Sequence, residues 1–354
     1  MNKHRAGHLI AGLAISLSMV LAFGVAQAKN AAAPRVVSLP GGAPGIGFDD
    51  LVFDEASKTL LIPGGRSGNL YRIDPASAEA SVLVGGFSSS KSYEAGGHDF
   101  GLTSVSVLPN GLIAVTDRTS QTLSLVDPAR KAIVEGATVS LGVGPDLVRY
   151  IAATDELWIT EPDSHQLEIY KAPTAAAPKP VKSGAIQFKD GPEALVIDEA
   201  RGAAYTNAGA DTVVIDLKTR QVSAGWTSGC KDPKEIAVDA KRGFAFNVCK
   251  EGGIYAYDLK RKPIARVGHV KTGRGADIPG FSESLSHLYV AGGVSKTLTF
   301  VGVARNGSLS VLGKVTTAIY ASDAVADNLG HAWVPRPKSG DMLRFDDPYP
   351  ASAN

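Results

Sequence analysis

Short apolar runs separated by polar turns recur along the chain, and no long window holds a helical period. The segments GPDLVRYIAATDELWIT from Gly144, GPEALVIDEARGAAYTN from Gly191, DPKEIAVDAKRGFAFNV from Asp232 and GADIPGFSESLSHLYVA from Gly275 align under one another. Looser copies are GFDDLVFDEASKTLLIP from Gly47 and GLTSVSVLPNGLIAVTD from Gly101, with a degenerate copy, YASDAVADNLGHAWVP, from Tyr320. Each copy enters from a turn, runs through an apolar or alternating segment, crosses polar turn residues and ends in a second β-rich run. That plan predicts a hairpin whose inner strand is apolar enough to be buried on both faces.

The text after each copy is equally regular. NLYRIDP, TLSLVDP, QLEIYKAP, TVVIDLKT, GIYAYDLK and TLTFVGVARNG read as third strands, and runs such as QVSAGW and IARVGH as weaker fourth strands. Four antiparallel strands at a spacing of roughly 41 to 54 residues is the arithmetic of a β-propeller blade. Seven copies predict an all-β, seven-bladed propeller over residues 29–346, with 347–354 as a flexible C-terminal tail. The last unit stops after DMLRF, Asp341 to Phe345, and the strand left over at the other end is RVVSL, Arg35 to Leu39. We expect this strand to complete the seventh blade, because closure removes the exposed edges of an open array. Two inserts interrupt the repeat. Gly85 to Gly101 (GGFSSSKSYEAGGHDFG) joins blades 1 and 2 and is placed to lie over the channel mouth. Ala172 to Pro180 (APTAAAPKP) reads as a solvated, polyproline-like loop.

GCKDPKEIAVDAKRGFAFNVC (Gly229 to Cys249), with GGIYAYDL directly after it, resembles the bacterial YVTN-type β-propeller repeat, and the GADIPGF unit resembles that family's next blade. The resemblance spans Gly47 to about Phe345 and implies a seven-bladed propeller exported to the periplasm or cell surface. A looser similarity runs to the gluconolactonase and strictosidine-synthase-like propellers, which hold one divalent cation on the channel axis with Glu, Asn and Asp side chains. The matching asparagines are not evident in this chain.

The first residues change the picture of compartment. Lys3 and Arg5 precede an apolar run from Leu9 to Val25, and Ala26-Gln27-Ala28 closes it. This is the form of a secretory signal peptide over residues 1–28, cleaved after Ala28, and it predicts a periplasmic or secreted protein with no membrane span in the mature chain. Losing Lys3 and Arg5 takes the formal net charge from +1 to −1. A near-neutral chain with scattered charge lacks the basic footprint of a nucleic-acid binder. We expect a monomer whose partner is a small molecule or a periplasmic protein. Glycine, at 39 of 354 residues, supports the turn-rich reading.

Candidate chemistry comes from the repeat. Its third position reads Asp49, Thr103, Asp146, Glu193, Lys234, Asp277 and, with a one-residue shift, Asp323 or Ser322. In a propeller that position faces the central channel near one mouth, so distant carboxylates converge on the axis. Converging carboxylates are relieved by protonation, a lysine or a cation. Oxygen ligands of this kind suit Ca²⁺ or Mg²⁺, with Asp49, Asp146, Glu193 and Asp277 as the candidate set. Two readings stay open. Either these residues bind a cation or an amine- or hydroxyl-bearing ligand, or each acid caps its own turn by accepting backbone N–H groups. A metal-dependent, lactonase-like hydrolase would use Asp49, Asp146, Glu193 and Asp277 as ligands or base, and separately His98 beside Asp99 is either a general-base pair or simply a polar loop. An oxidoreductase or its accessory is a third reading. By this register His165, His269, His287 and His331 fall in turns or outer strands, and Trp158, Trp226 and Trp333 mostly share the second-strand position and pack between blades. GGRSG at Gly64 to Gly68 reads as a turn, from which Arg66 could face an anionic ligand. The two cysteines, Cys230 and Cys249, flank a predicted hairpin, and in an oxidising compartment an even pair reads as a disulfide.

Overall fold

The computed structural model describes Met1 and residues 32–93, 98–174 and 177–352. The leader segment, residues 2–28, lies outside the described residues, as do 94–97 of the first insert and 175–176 of the second. Seven antiparallel sheets succeed one another around a ring, each strand hydrogen-bonded to its neighbour in sequence order. Blade 1 comprises Val52–Asp54, Thr59–Pro63, Ser67–Asp74 and Glu79–Ser89. Blades 3 to 6 repeat the pattern, and in blade 2 the outermost position is shared by two short strands, Ala132–Ile133 and Val139–Ser140. Blade 7 supplies Val325–Ala326, His331–Arg336 and Asp341–Asp346, and its fourth strand is Arg35–Ser38. The closing register pairs Arg35 with Arg344 and Ser38 with Asp341. The ring therefore closes as the pattern predicts, and no blade is left with a bare edge at the seam.

The buried apolar residues fall into one cluster per blade interface. The seam between blades 7 and 1 holds Val37, Leu39, Leu60, Tyr71, Trp333 and Met342. Blades 3 and 4 meet through Trp158, Ile169, Leu195 and Ala204, and blades 5 and 6 through Phe244, Phe246, Leu288 and Val301. Seven interfaces hold one another in register, so no blade buries its apolar faces alone.

One expectation about the strands is corrected in part. The inner strands are unevenly buried: Val52–Asp54 and Val196–Asp198 are three residues each and only partly buried, whereas Leu102–Val107 and Pro233–Asp239 are mostly buried. The second strands are buried more evenly, with every residue of Glu156–Glu161, Phe244–Cys249 and His287–Gly292 buried. An inner strand has the open channel on one side, whereas a second strand sits between two neighbouring blades. Trp158 and Trp333 lie in second strands, but Trp226 lies in the fourth strand of blade 4, Val222–Thr227, between Tyr205 and Tyr257. The run Gly85 to Ser89, read as loop, continues the fourth strand of blade 1.

The cysteines form the expected disulfide, with Cα atoms 5.2 Å apart across a separation of 19 residues. It ties the entry loop of blade 5 to the end of its second strand, where Cys249 pairs with Pro233.

Residues 347–352, expected as a flexible tail, pack against blade 6. His287, fully buried at the start of the second strand, has Nδ1 2.7 Å from Asp347 Oδ2. Its Nε2 lies 2.9 Å from Ser352 Oγ and 3.1 Å from the Pro350 carbonyl, and Tyr289 donates its hydroxyl to Asp347 at 2.8 Å. The connectivity mimics a Ser-His-Asp array. The Pro350 carbonyl shares Nε2 with Ser352, so both ring nitrogens are engaged in tying the tail to blade 6. His331 likewise begins the second strand of blade 7, with Nδ1 2.6 Å from Asp327. Neither histidine lies in a turn or outer strand, since each is drawn inward by a buried carboxylate.

Candidate functional site

The third position of the repeat does converge. Asp49, Asp146, Asp277 and Asp323 are carried to one mouth of the channel by the loops entering blades 1, 3, 6 and 7. These loops are fixed by main-chain bonds. Asp146 N donates to Thr160 O at 2.9 Å, Asp277 N to Ser322 O at 3.0 Å, and Asp50 N to Thr103 O at 3.1 Å, the last two bridging adjacent blades. Thr103, the non-acidic member in blade 2, is buried, and its hydroxyl donates to the Asp146 carbonyl at 2.8 Å. Between the blades the backbone approaches closely: a Cβ on Gly101, where φ is +82°, would sit 2.2 Å from Gly65 O. Only glycine fits there.

The acids are not turn caps. Among the described residues none of these four carboxylates accepts a backbone N–H. Instead they face one another and a set of cations. Arg118 donates to Asp146 at 3.0 Å and to Asp163 at 3.2 Å. Lys234 lies 3.5 Å from Glu193 and 3.5 Å from Asp232. His98, from the long insert, places Nδ1 3.5 Å from Asp49 Oδ1. Asp49 Oδ2 is buried and has no hydrogen-bond partner among the described residues. A cavity of 130 Å³ lies among Asp49, His98, Arg118, Asp146, Lys234 and Asp277. An adjoining one of 260 Å³, lined by His98, Lys250, Tyr320 and Ser322, opens outward from it.

Burial and mutual repulsion divide the acids. Burial would raise Asp49, but His98, and less strongly Asp146 and Arg118, outweigh it and hold Asp49 below the usual range. Burial, then the charge of Asp49, pushes Asp146 well up, and burial with Asp277 and Asp49 does the same to Asp323. Asp277 is also raised, chiefly by burial. The His98 imidazole is pushed up to about 11, mainly by the charge of Asp49. His98 is therefore a resident cation over an anionic seat.

The structure places the remaining candidates elsewhere or in other roles. Glu193 reaches the mouth but is 44% exposed and paired with Lys234, apart from the buried aspartates. His98 does not act with Asp99 as adjacency suggests: the closest approach is 3.9 Å, and Asp99 is 79% exposed. An imidazole held protonated has no lone pair to take a proton near neutral pH. Arg66 does not face a ligand. Its guanidinium is buried and bonds the carbonyls of Gly42, Gly45 and Ser90, which staples the insert to blade 1. No group of three or more His, Cys, Asp or Glu side chains among the described residues is set to hold a metal ion. Arg118, at the end of a second strand, was not among the sequence candidates. Its signal was its place just after Asp117, where the second strand returns to the mouth.

The fourth position carries a second layer that comparison of third positions alone does not reveal: Asp50, Ser104, Leu147, Ala194, Glu235, Ile278 and Ala324. Arg149 donates to both Asp50 oxygens, at 2.6 and 3.1 Å. Buried Glu235 accepts from Leu195 N at 3.2 Å and is pushed up to about 8 by burial.

No family model matches the chain, and no curated protein does. Solved structures do. A chain of Kuenenia stuttgartiensis hydrazine synthase superposes with a TM-score of 0.65 at 12% identity, over 92% of this chain and 99% of that one. The WD40 repeats of RRP9 give 0.66 at 11% identity over 90% and 99%. A chain of the mitotic checkpoint complex gives 0.67 at 12% over 98% and 99%. The likeness is to the fold. A seven-bladed propeller is a scaffold that commonly mediates binding, and its particular task has to be argued from the site.

Proposed function

We propose that the chain is an exported propeller that binds a small ligand bearing a protonated amine, flanked by hydroxyl groups, at the acidic mouth of its channel. The observation that carries this reading is the buried Asp49 Oδ2, unpartnered among the described residues, inside a ring of Asp146, Asp277 and Asp323. A buried anionic acceptor without a donor is costly, and an ammonium supplies both charge and donors. His98 holds that seat chiefly by its charge at 3.5 Å, so an entering amine replaces one cation by another. Lys234 and Arg118 at the rim favour hydroxyl or carbonyl groups on the rest of the ligand. Ca²⁺ or Mg²⁺ is a weaker occupant, since its usual six or more oxygen ligands are not gathered here. The hydrolase reading has less support, because its candidate carboxylates are not grouped to hold a metal ion among the described residues.

Export is supported by the Cys230–Cys249 disulfide together with the leader pattern. N-terminal sequencing of the exported protein is expected to begin at Lys29, and a mature chain starting at Met1 would contradict it. Calorimetric titration of the EDTA-treated protein with 1,4-diaminobutane, an amino sugar, Ca²⁺ and Mg²⁺ tests the ligand class. Heat from the amines and little from the metals is expected, whereas tight metal binding alone would replace this reading with the metal one.

A further inference from the structure

Below the acidic mouth the channel changes character. At the opposite end a funnel of 520 Å³ receives wall residues from all seven blades, among them Val52, Val105, Val196, Ile236, Phe281 and Ala326. Its walls are mostly aliphatic and aromatic, with Asp54, Glu55, Ser106 and Asn328 among them, and its volume lies within the roughly 300–1,000 Å³ typical of small-molecule sites. Its floor is polar: Asp50, Arg149 and Glu235 line it, and Glu235 and Ile278 line both this funnel and the small mouth cavity, so they form the partition between them. Asp50 and Arg149 form a two-pronged ion pair that cancels their charge.

We propose that this funnel is a second binding site, separate from the mouth, for a small uncharged amphipathic molecule whose apolar body lies against the blade walls and whose carbonyl or hydroxyl oxygen accepts a hydrogen bond from Glu235. An ion would lose its water among the apolar walls, while the lining carboxylates Asp54 and Glu55 are already engaged, Asp54 by the backbone of its own turn and Glu55 by Lys58 at 2.6 Å. A purely apolar ligand would leave the proton of the buried carboxyl without an acceptor, which a carbonyl group at the floor supplies. Glu235 keeps its proton at neutral pH because burial outweighs the opposing pull of Arg149, and the charge of Asp50 adds to burial. From the mouth side, Asp49, Asp146 and Asp277 face it together with the cations described above.

The test uses probes of one chain length: 2-octanone, 1-octanol, octanoate and octylammonium, titrated by ligand-observed NMR into the full mature chain. The ketone and the alcohol are expected to bind at least about tenfold more tightly than octanoate or octylammonium. Val196→Trp, which fills the funnel, should weaken the ketone by about tenfold or more, and Val52→Trp on another blade provides the same test if the first variant does not fold. Ketone affinity should fall above about pH 8 in the wild type and stay flat in Glu235→Gln, whose amide can still donate. Any of three results overturns the proposal: no ketone binding at millimolar concentration, preference for a charged probe, or ketone binding indifferent to both tryptophan variants.

Discussion

Glu235→Gln is the substitution with the clearest expected energetic signature. Glu235 is 6% exposed, its Oε1 accepts one backbone N–H, and it titrates at about 8 in the fold against an ordinary value of 4.5. An acid with a raised folded pKa is protonated in the fold where the unfolded chain has already ionised. Its protonated form stabilises the fold fully below about pH 4.5, and that contribution is lost as pH rises towards 8. Each pH unit in that window is about 1.4 kcal/mol, so the loss is on the order of 3 kcal/mol at pH 7 and 5 kcal/mol at pH 8 and above. Glutamine keeps the shape and an acceptor for Leu195 N but cannot ionise. Urea unfolding of both proteins at pH 5, 7 and 9 isolates the effect, because other titrating groups are shared. The difference in stability should move in favour of Gln by about 3 kcal/mol or more between pH 5 and 9. Any cost of the substitution in hydrogen bonding is independent of pH and shows only as an offset. A difference that stays constant across the three pH values refutes a buried, protonated Glu235.

Three further outcomes rest on the packing. Cys249→Ser should cost about 3 kcal/mol in urea unfolding, as expected for a 19-residue loop, and reduction of the wild type should give the same loss. Deleting residues 29–40 removes the closing strand and the burial of Val37 and Leu39, about 1.5–3 kcal/mol each, and should lower the Tm by about 10 °C; an unchanged Tm would refute closure by that strand. His287→Ala leaves Asp347 Oδ2 with Tyr289 alone, Oδ1 keeping Tyr349 N, and should cost about 2 kcal/mol, together with faster amide exchange in residues 347–352.

The seven blades and the closing strand were legible because each repeat is a complete supersecondary unit, and the unpaired RVVSL had one place to go. The ring of third-position acids was legible for the same reason, since equivalent positions in a closed array must meet. What the repeat could not convey was how the meeting is resolved. That Asp49 is pulled down while Asp146 and Asp323 are pushed up depends on His98, which arrives from an insert outside the repeat, and on Arg118, which arrives from a different strand. The Asp50, Arg149 and Glu235 layer sits away from the third position of the repeat and is not conveyed by it. Two acids in an otherwise small or apolar fourth position were the signal. The partial exposure of inner strands such as Val52–Asp54 was not legible because an apolar run facing a channel reads the same as one facing another blade. The tail was misjudged because DDPYPASAN has little β pattern, while its anchoring comes from single polar contacts of Asp347 and Ser352.

The most direct test of the acidic mouth is the affinity of 1,4-diaminobutane for the wild type, Asp49→Asn and His98→Gln, measured by calorimetry at pH 7. Removing the anionic seat and removing its resident cation should have opposite effects. Asp49→Asn is expected to weaken binding by about tenfold or more, and His98→Gln, by freeing Asp49, to tighten it by a comparable factor. Weakening by both substitutions, or indifference to both, would contradict an amine seat held by His98.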